Sequence, residues 1–281
     1  MAGTLPTAYL NGNYQPIEQI RISPLDRGFL FGDAVYEVVP VHDGRPLLID
    51  AHIGRLGRSL DALRIDNPHD SSGWRELIAE LTTRNGGGDL AVYIQVTRGA
   101  DTGRDHTFPR GLTPTVFAMA TALARFDHAD GVSAITLPDN RWGRCDIKAT
   151  ALLANVLARQ TAQDEGAVDA ILLWDGEVTE GAVSSVLIVE NGAVVRRPHG
   201  NEVLPGTTTD FVVEVAKSGG VVCHEEPITE QRLRDADEIW LTGATKGIAP
   251  VVRLDGESVG GGKPGPVWRT MTRSYERAIH E

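Results

Sequence analysis

The stretch "VVPVHDGRPLLI", residues 38–49, places an Asp-Gly pair between two segments rich in β-branched and apolar residues. An Asp-Gly or Asn-Gly pair is the strongest local signal for a tight hairpin turn, because both residues tolerate positive φ angles. The same signal recurs at Asn11-Gly12, Asp175-Gly176, Asn191-Gly192 and Asp255-Gly256. Antiparallel sheet is therefore predicted in both halves of the chain.

Segments with helical periodicity lie between these hairpins. "DAHIGRLGRSLDALRI" opens on Asp50, a candidate N-cap, and repeats apolar residues at helical spacing. "SSGWRELIAELTTRNGG" begins with serines and ends at glycines, and "ATALLANVLARQTAQDEG" ends at Gly166. A last helix follows the Gly/Pro-rich "GGGKPGP". These elements predict an α+β fold with mixed or antiparallel sheets and flanking helices.

The chain of 281 residues is long enough for two packed cores. The best candidate boundary is "ALARFDHADG", which lies between the apolar strands "PTVFAMAT" and "VSAITLP". We predict a smaller N-terminal α+β domain over residues 1–121, an interdomain linker over 122–131 and a larger C-terminal, cofactor-binding domain over 132–281.

Composition excludes several classes of partner. A net charge of −11 argues against a nucleic-acid or anionic-membrane partner, since a phosphate backbone needs a basic face. No stretch approaches the roughly 20 apolar residues of a membrane span, and no secretory signal is visible, so a cytoplasmic protein is expected. Two cysteines cannot form a disulfide framework, and the eight histidines show no metal-ligand spacing, so no metal is expected.

Two segments hold groups with more than one interpretation. Thr207 and Thr208 follow Gly206 where a helix is predicted to begin, so they are either ordinary caps or a phosphate site at a helix N-terminus. Glu180 lies between a hairpin strand and a Gly-Ala turn. The residues alone favour a solvated acid there over a buried carboxylate that holds a cationic nitrogen.

Two further segments carry basic groups. Arg104 and His106 are two residues apart, so in extended chain both point to one side and could bind a carboxylate. An exposed polar loop is the competing interpretation. Lys148 lies where a helix is predicted to begin, and a cation at the positive end of a helix dipole is mildly unfavourable.

The order of several short runs identifies a family. They are "DRGFLFGDAVYEVV", "HIGRL", "YIQVTRG", "RCDIKATALLANVLARQ", "VTEG", "LPGTTTD" and "LTGATKGIAPV". In this order they resemble the pyridoxal-phosphate enzymes of fold type IV over nearly the whole chain. That group contains D-amino-acid transaminases, branched-chain transaminases and aminodeoxychorismate lyase, and the resemblance is closest to the D-amino-acid transaminases.

The resemblance implies a homodimeric transaminase that uses pyridoxal 5'-phosphate. It makes Lys148 the lysine that bonds to the cofactor and acts as general base, which also removes the unfavourable free cation. It makes Glu180 the partner of the pyridine nitrogen. The remaining cofactor contacts that it implies are Arg55, Leu204, Thr207, Thr208, Ala244 and Thr245. The implied contacts with the substrate carboxylate are Tyr36, Arg104 and His106, the last two reaching the partner's site.

The implied substrates are D-amino acids such as D-alanine and 2-oxo acids such as 2-oxoglutarate. An (R)-amine transaminase, a branched-chain L-amino-acid transaminase and an aminodeoxychorismate lyase stay open, as does a scaffold that binds the cofactor without chemistry. Ser185, Thr209 and Gly243 depart from the family pattern. The loop before Arg104 is one residue longer than in the common pattern of the D-amino-acid transaminases. These departures predict an altered set of hydrogen bonds around the cofactor.

Overall fold

The structure, a computed structural model, describes residues 3–123 and 128–280. The chain divides into two compact units. The first is Met1–Ala124 with Ile147–Ala151, and the second is Arg125–Asp146 with Leu152–Glu281. The predicted linker, 122–131, includes residues 124–127, which lie outside the described residues.

The first unit is discontinuous in sequence, whereas the sequence analysis predicts two continuous domains. Its second segment, Ile147–Ala151, holds Lys148, a residue that the prediction placed in the C-terminal domain. The physical reason is backbone pairing, because Thr150 donates a hydrogen bond to the carbonyl of Ala34 (3.0 Å) and Ala149 forms a bridge with Val35.

An antiparallel sheet with helices forms the first unit. The strands run in the order β2-β1-β6-β5-β3-β4. Buried apolar residues of α2 and α3, among them Leu56, Leu60, Trp74 and Ile78, pack in one core with residues of the sheet. The bounds are β1 Thr4–Leu10, β2 Asn13–Pro16, α1 Arg27–Phe31, β3 Ala34–His42, β4 Arg45–Pro46, α2 Ile49–Leu63, α3 Ser71–Arg84, β5 Leu90–Thr97 and β6 Thr115–Ala122, with a 3-10 turn at Ile17–Gln19.

A mixed sheet forms the second unit, in the order β12-β11-β10-β13-β14-β7-β8-β9, with β15 paired to β14. The strand pairs β7–β8, β7–β14 and β11–β12 are parallel, and the others are antiparallel. The bounds are β7 Val132–Pro138, α4 Leu153–Asp164, β8 Asp169–Trp174, β9 Glu177–Gly181, β10 Ser185–Glu190, β11 Ala193–Arg196, α5 Thr207–Ser218, β12 Cys223–Glu225, α6 Glu230–Asp235, β13 Glu238–Gly243, β14 Gly247–Leu254, β15 Glu257–Ser258 and α7 Pro266–Ala278. The predicted α+β fold is confirmed.

The predicted hairpin turns are confirmed at all the Asn-Gly and Asp-Gly pairs. Both residues of each pair have positive φ, as at Asp43 (48°) and Gly44 (77°) between β3 and β4. The turns connect β1 to β2, β3 to β4, β8 to β9, β10 to β11 and β14 to β15. A positive φ at both central residues matches the twist of the flanking strands, which is why this dipeptide signals hairpins reliably.

The predicted cap of α2 is wrong. This helix follows Leu48, and Asp50 lies in its first turn with its carboxylate paired to Arg75 on α3. The helix already begins at Ile49, so Asp50 is a helical residue and does not occupy the cap position.

The described residues offer neither a membrane-spanning helix nor a metal-binding cluster. Among residues 3–123 and 128–280, every helix is too short or too polar to serve as a membrane span. The same residues contain no cluster of three His, Cys, Asp or Glu side chains that could hold a metal ion.

Candidate active site

Lys148 lies in irregular chain against the edge of β3. The prediction that it marks the start of a helix is wrong, because α4 begins only at Leu153. The Lys148 carbonyl accepts a hydrogen bond from the Tyr36 amide (2.9 Å), and the Lys148 amide donates to Ser59 Oγ (3.2 Å). Both backbone groups of this lysine are therefore fixed within the first unit, which fixes the origin of its side chain.

The Lys148 ammonium lies over an aromatic ring. Its Nζ is 4.2 Å from the centroid of the Tyr36 ring, and the Tyr36 ring stacks on that of Tyr93 at 5.6 Å. Contact of a cation with a ring face is attractive. Burial, together with the nearby Tyr36, raises the pKa of Tyr93 to about 12, so the Tyr93 phenol stays neutral.

Arg55 is buried and paired with a carboxylate from β3. Its Nε donates to Glu37 Oε1 (2.7 Å) and its Nη2 to Glu37 Oε2 (2.9 Å). His52, one helical turn earlier on α2, contacts Glu37 Oε2 through Nδ1 at 2.8 Å. Burial alone would raise the pKa of Glu37, but Arg55 and His52 outweigh it and lower the pKa to about 2. The Arg55 guanidinium is therefore paired with an ionised carboxylate in the core of the first unit.

Arg104 and His106 lie in the exposed loop between β5 and β6. The Arg104 guanidinium is 4.9 Å from the centroid of the Phe31 ring, and the His106 ring is 5.2 Å from the same ring. Both basic groups thus lie on one aromatic residue at the end of α1. Within the described residues, neither forms a hydrogen bond with Tyr36 or Lys148.

Glu180, at the end of β9, is buried in the second unit, so the interpretation as a solvated acid is wrong. Its Oε1 is in close contact with Nη1 of Arg141, whose Nη2 donates to Asp139 Oδ2 (2.7 Å). Thr179 donates to the same Asp139 oxygen at 2.6 Å. Burial raises the pKa of Asp139, but the hydrogen bonds from Arg141 and Thr179 bring it below its usual range. Arg141 therefore bridges the carboxylates of Asp139 and Glu180.

Leu204 is joined to Glu180 through its backbone. The Leu204 amide donates a hydrogen bond to Glu180 Oε2 at 3.3 Å. Two residues earlier, the Glu202 carbonyl accepts a hydrogen bond from Arg141 Nη2 at 3.0 Å. The segment before α5 is thus positioned on the same carboxylate and guanidinium that form the buried network.

The N-terminus of α5 forms a small polar cradle. Thr207 and Thr208 are buried, and the first intrahelical hydrogen bond is donated by Asp210 to the Gly206 carbonyl (2.9 Å). Amides before that bond point out of the helix, along the positive end of its dipole. A Cβ at Gly206 would lie 2.7 Å from Ser185 Oγ and 2.8 Å from Thr209 Oγ1, so any larger residue would force these hydroxyls to shift.

Ala244 and Thr245 form the turn between β13 and β14. The Lys246 amide closes the turn on the Gly243 carbonyl at 3.0 Å. The strand that leads into the turn is bound to α5, because Thr242 Oγ1 lies 2.7 Å from Thr209 Oγ1. The second unit therefore places the α5 cradle and this turn on adjoining elements. Thr209, which departs from the family pattern, supplies that connection.

The polar groups match what pyridoxal phosphate needs from a protein. Helix-terminal amides and threonine hydroxyls in a glycine-lined cradle suit a phosphate dianion. A buried carboxylate suits a protonated ring nitrogen, and a lysine amine suits an aldehyde carbon. The cradle at Gly206 is the structural observation that supports this fit.

Three charged residues of this region were not predicted from the sequence: the buried Glu37 and Asp139 and the half-buried Arg141. Glu37 gave a signal, since an acid inside the apolar run "VYEVVPV" needs a buried partner. Asp139 and Arg141 lie in "PDNRWG", a stretch with no periodic pattern, and their partner Glu180 is distant in sequence. Local sequence carries no signal for a pairing of that kind.

Comparison with known proteins assigns the family. The model of the family "Amino-transferase class IV" matches residues 34–254. The chain therefore belongs to the class IV aminotransferases, which use pyridoxal phosphate, and it is an aminotransferase.

Relatives of known name extend along nearly the whole chain. D-alanine aminotransferase of Bacillus licheniformis is 35% identical over 271 residues, covering 96% of this chain and 95% of the relative. D-alanine aminotransferase of Listeria monocytogenes is 36% identical over 274 residues, with coverage of 96% and 95%. The chain is thus similar in sequence to D-alanine aminotransferases of two genera.

Solved structures share the fold. Branched-chain amino acid aminotransferase of Escherichia coli superposes with a TM-score of 0.91 at 22% identity, covering 98% of this chain and 94% of the other. A hypothetical aminotransferase from Mycobacterium tuberculosis, in its PLP-bound form, gives 0.86 at 26% identity, with coverage of 97% and 98%.

Proposed function

We propose that this aminotransferase moves the amino group between D-amino acids, such as D-alanine, and 2-oxo acids, such as 2-oxoglutarate. The observation that carries the proposal is the pair Lys148 and Tyr36, in which a fixed lysine amine lies 4.2 Å from a tyrosine ring. Similarity to D-alanine aminotransferases at 35–36% identity supports the choice of substrate.

Pyridoxal phosphate, when bound, supplies an electron sink that stabilises negative charge at the substrate Cα. Lys148 Nζ would act as general base that removes the proton from the Cα of the amino donor, and in the second half-reaction it would deliver a proton to the Cα of the new amino acid. Its fixed backbone limits the directions from which it can do so. Glu180 holds the proton on the ring nitrogen. Its own position is set by Arg141 and by the Leu204 amide.

Phosphate binding falls to the groups around α5 and to Arg55. Thr207, Thr208, Ala244 and Thr245 provide amides and hydroxyls, and Arg55 provides a guanidinium whose charge is held by Glu37. In an acidic protein these are the groups that make a dianion site favourable.

Recognition of the substrate carboxylate falls to Tyr36, Arg104 and His106. Guanidinium and imidazole groups form charge-assisted hydrogen bonds with a carboxylate. We propose that the Arg104 and His106 loop serves the site of a second protomer in a homodimer. Large apolar side chains on the outer face of α4, such as Leu153 (73% exposed), support a protein partner of this kind.

A branched-chain L-amino-acid transaminase is the second candidate, because solved structures of such enzymes share the fold. Their identity of 22–25% is lower than that of the D-alanine enzymes. An (R)-amine transaminase, an aminodeoxychorismate lyase and a scaffold without chemistry are outcomes of the same experiment.

The experiment compares kcat/KM for D-alanine, L-alanine, L-leucine and (R)-1-phenylethylamine in wild type and Arg104→Ala. We expect wild type to prefer D-alanine, and Arg104→Ala to lower kcat/KM for D-alanine by about one to two powers of ten, as for a lost charge-assisted pair. Activity on the amine, which has no carboxylate, should not fall. Arg110→Ala, an exposed arginine of the same loop, is the matched control.

A preference for L-alanine or L-leucine would replace the proposal with the branched-chain assignment. Catalytic release of pyruvate from aminodeoxychorismate with no 2-oxo acid present, and without turnover of D-alanine, would indicate a lyase. No turnover of any substrate would indicate a scaffold.

A further inference from the structure

Arg27, at the start of α1, holds the loop that carries Arg104 and His106. Arg27 is 3% exposed, and its Nη1 donates to the carbonyl oxygens of Asp105 (2.6 Å) and Thr107 (3.2 Å). Its Nη2 donates to the His106 carbonyl at 3.3 Å. One guanidinium therefore binds three consecutive carbonyls of a loop that lies about 80 residues away in sequence.

The Nε of Arg27 binds Asp33, which connects the loop contact to the rest of the first unit. This hydrogen bond, from Nε to Asp33 Oδ2, is 2.8 Å long. Asp33 also accepts two hydrogen bonds from Arg98, of 2.8 and 2.9 Å. Arg98 in turn donates to the carbonyls of Leu63 and Arg64 at the end of α2. Burial would raise the pKa of Asp33, but Arg98 and Arg27 bring it below its usual range. The anchor is thus an ionised carboxylate between two arginines.

The helix of Arg27 also supplies the surface on which the loop side chains lie. Phe31, four residues on, contacts the Arg27 guanidinium (4.9 Å), the Arg104 guanidinium (4.9 Å) and the His106 ring (5.2 Å). The loop adds a local turn, since Asp105 Oδ1 accepts the Thr107 amide at 2.8 Å. Main chain and side chains of the loop are therefore both set by α1.

We infer that Arg27 is a positioning residue for recognition of the substrate carboxylate. It fixes the main chain on either side of His106, so that Arg104 and His106 present their donors in one arrangement. Arg27 therefore contributes to selection of carboxylate-bearing substrates over simple amines. This inference rests on the proposed function of Arg104 and His106.

The chemistry of Arg27 gives the inference a discriminating variant. A lysine would keep the charge beside Asp33, but it lacks the planar fork that reaches three carbonyls and a carboxylate together. If Arg27 only neutralised Asp33, Arg27→Lys would behave as wild type. If it positions the loop, Arg27→Lys should resemble Arg27→Met.

The experiment uses the cofactor-loaded full-length enzyme and the variants Arg27→Met, Arg27→Lys, Arg104→Ala and the control Arg110→Met. We expect both Arg27 variants to raise KM for D-alanine about tenfold or more, which corresponds to the loss of about one hydrogen bond's net free energy. Their kcat should change by less than about threefold, and kcat/KM for (R)-1-phenylethylamine should stay near wild type, because no carboxylate is recognised.

Hydrogen exchange provides a readout independent of catalysis. Peptides that span residues 101–111 should exchange faster in Arg27→Met and Arg27→Lys than in wild type and Arg110→Met, while β5 and β6 keep their protection. Loop exchange equal to wild type in both Arg27 variants would overturn the inference, whatever the kinetics.

The two proposals fail differently. If Arg104→Ala leaves KM for D-alanine unchanged, the proposed carboxylate site is wrong. If Arg104→Ala raises KM for D-alanine and Arg27→Lys does not, the carboxylate site stands and the positioning role of Arg27 is overturned. If Arg27→Met does not fold, Arg27→Lys decides alone.

Discussion

At the scale of single residues, the first unit is notable for a buried acid in the middle of an apolar strand. Glu37 is 1% exposed and faces Arg55 and His52 on α2. A buried pair of this kind adds little compared with apolar packing, but removal of one partner leaves an uncompensated charge. The stability of this unit should therefore depend on the charge of Glu37.

We expect Glu37→Gln to lower the free energy of unfolding at pH 7 by about 3–5 kcal/mol, since Arg55 would stay buried without its counterion. The folded-state pKa of Glu37 is lowered from 4.5 to about 2. Its contribution to stability is therefore present above about pH 4.5 and is lost as the pH falls towards 2. Urea unfolding of wild type and variant between pH 7 and pH 3 measures this difference.

The control for this prediction is Glu80→Gln. Glu80 pairs with Arg84 on the surface of α3, and both side chains are nearly half exposed. That variant should change stability by less than about 1 kcal/mol. Equal changes in the free energy of unfolding for the two substitutions would show that the Glu37–Arg55 pair is not energetically important.

Glu180 gives a second prediction at this scale. Glu180→Gln keeps a hydrogen-bonding group but loses the charge that favours a protonated ring nitrogen. We expect kcat for D-alanine to fall by about two powers of ten or more, with a much smaller change in KM. Glu177→Gln, in the same strand and paired with the half-buried Arg197, should keep wild-type kinetics. Wild-type single-turnover rates in Glu180→Gln would exclude a role in catalysis.

At the scale of elements, the sequence predicts an element correctly where the residues that determine it are adjacent in the chain. The Asp43-Gly44 turn needs only two residues that accept positive φ, and the dipeptide supplies both. The start of α4 is different. The bridge between Ala149 and Val35 holds the chain around Lys148 against β3 instead of in a helix, and that partner is more than 100 residues away. No pattern within residues 139–160 contains this information.

Side chains that cap helices from a distance are equally hidden in the sequence. Glu238, in β13, accepts hydrogen bonds from the amides of Val267 and Trp268 at the start of α7, both at 2.9 Å. It also accepts from the Trp240 indole at 3.0 Å. The cap residue of α7 is therefore supplied by a strand, 29 residues earlier in the chain.

We expect Glu238→Ala to destabilise the protein by about 2–3 kcal/mol, because it removes a buried charged acceptor from two helix-terminal amides and an indole. Asp70→Ala is the matched control. Asp70 caps α3 from an exposed position with one hydrogen bond of 2.8 Å, so about 1 kcal/mol is expected. Urea unfolding of both variants shows which substitution lowers the free energy of unfolding more. A smaller loss for Glu238→Ala than for Asp70→Ala would contradict the role assigned to Glu238.

At the scale of the whole molecule, residues implied in one function are distributed over both units. Lys148, Tyr36, Arg55 and the loop of Arg104 belong to the first unit, and Glu180 belongs to the second. The family resemblance assigned these residues to one active site. Periodicity and composition carry no information that could do so. What the sequence did not contain was the return of Ile147–Ala151 to the first unit, since backbone pairing with β3 creates it.

The proposed homodimer makes a prediction about mixed protomers. If the Arg104 loop serves the site of the partner, a heterodimer of Lys148→Ala and Arg104→Ala contains one site with both residues intact. Each variant alone should retain little activity on D-alanine, since one lacks the general base and the other the carboxylate contact. After subunit exchange at equal concentrations, half of the dimers are mixed and each has one intact site, so about a quarter of wild-type activity should return. Exchange is verified by co-purification through a tag carried by only one variant.

A mixture of Lys148→Ala with Glu180→Gln is the control for that experiment. Both residues serve the same protomer's site in the proposed function, so no intact site can form and activity should stay low. Recovery with Arg104→Ala but not with Glu180→Gln would support a site completed by the second copy. No recovery with Arg104→Ala, once exchange is verified, would mean that each protomer uses its own loop. The tenfold or greater rise in KM expected for Arg27→Lys would then report recognition within one protomer rather than across the dimer.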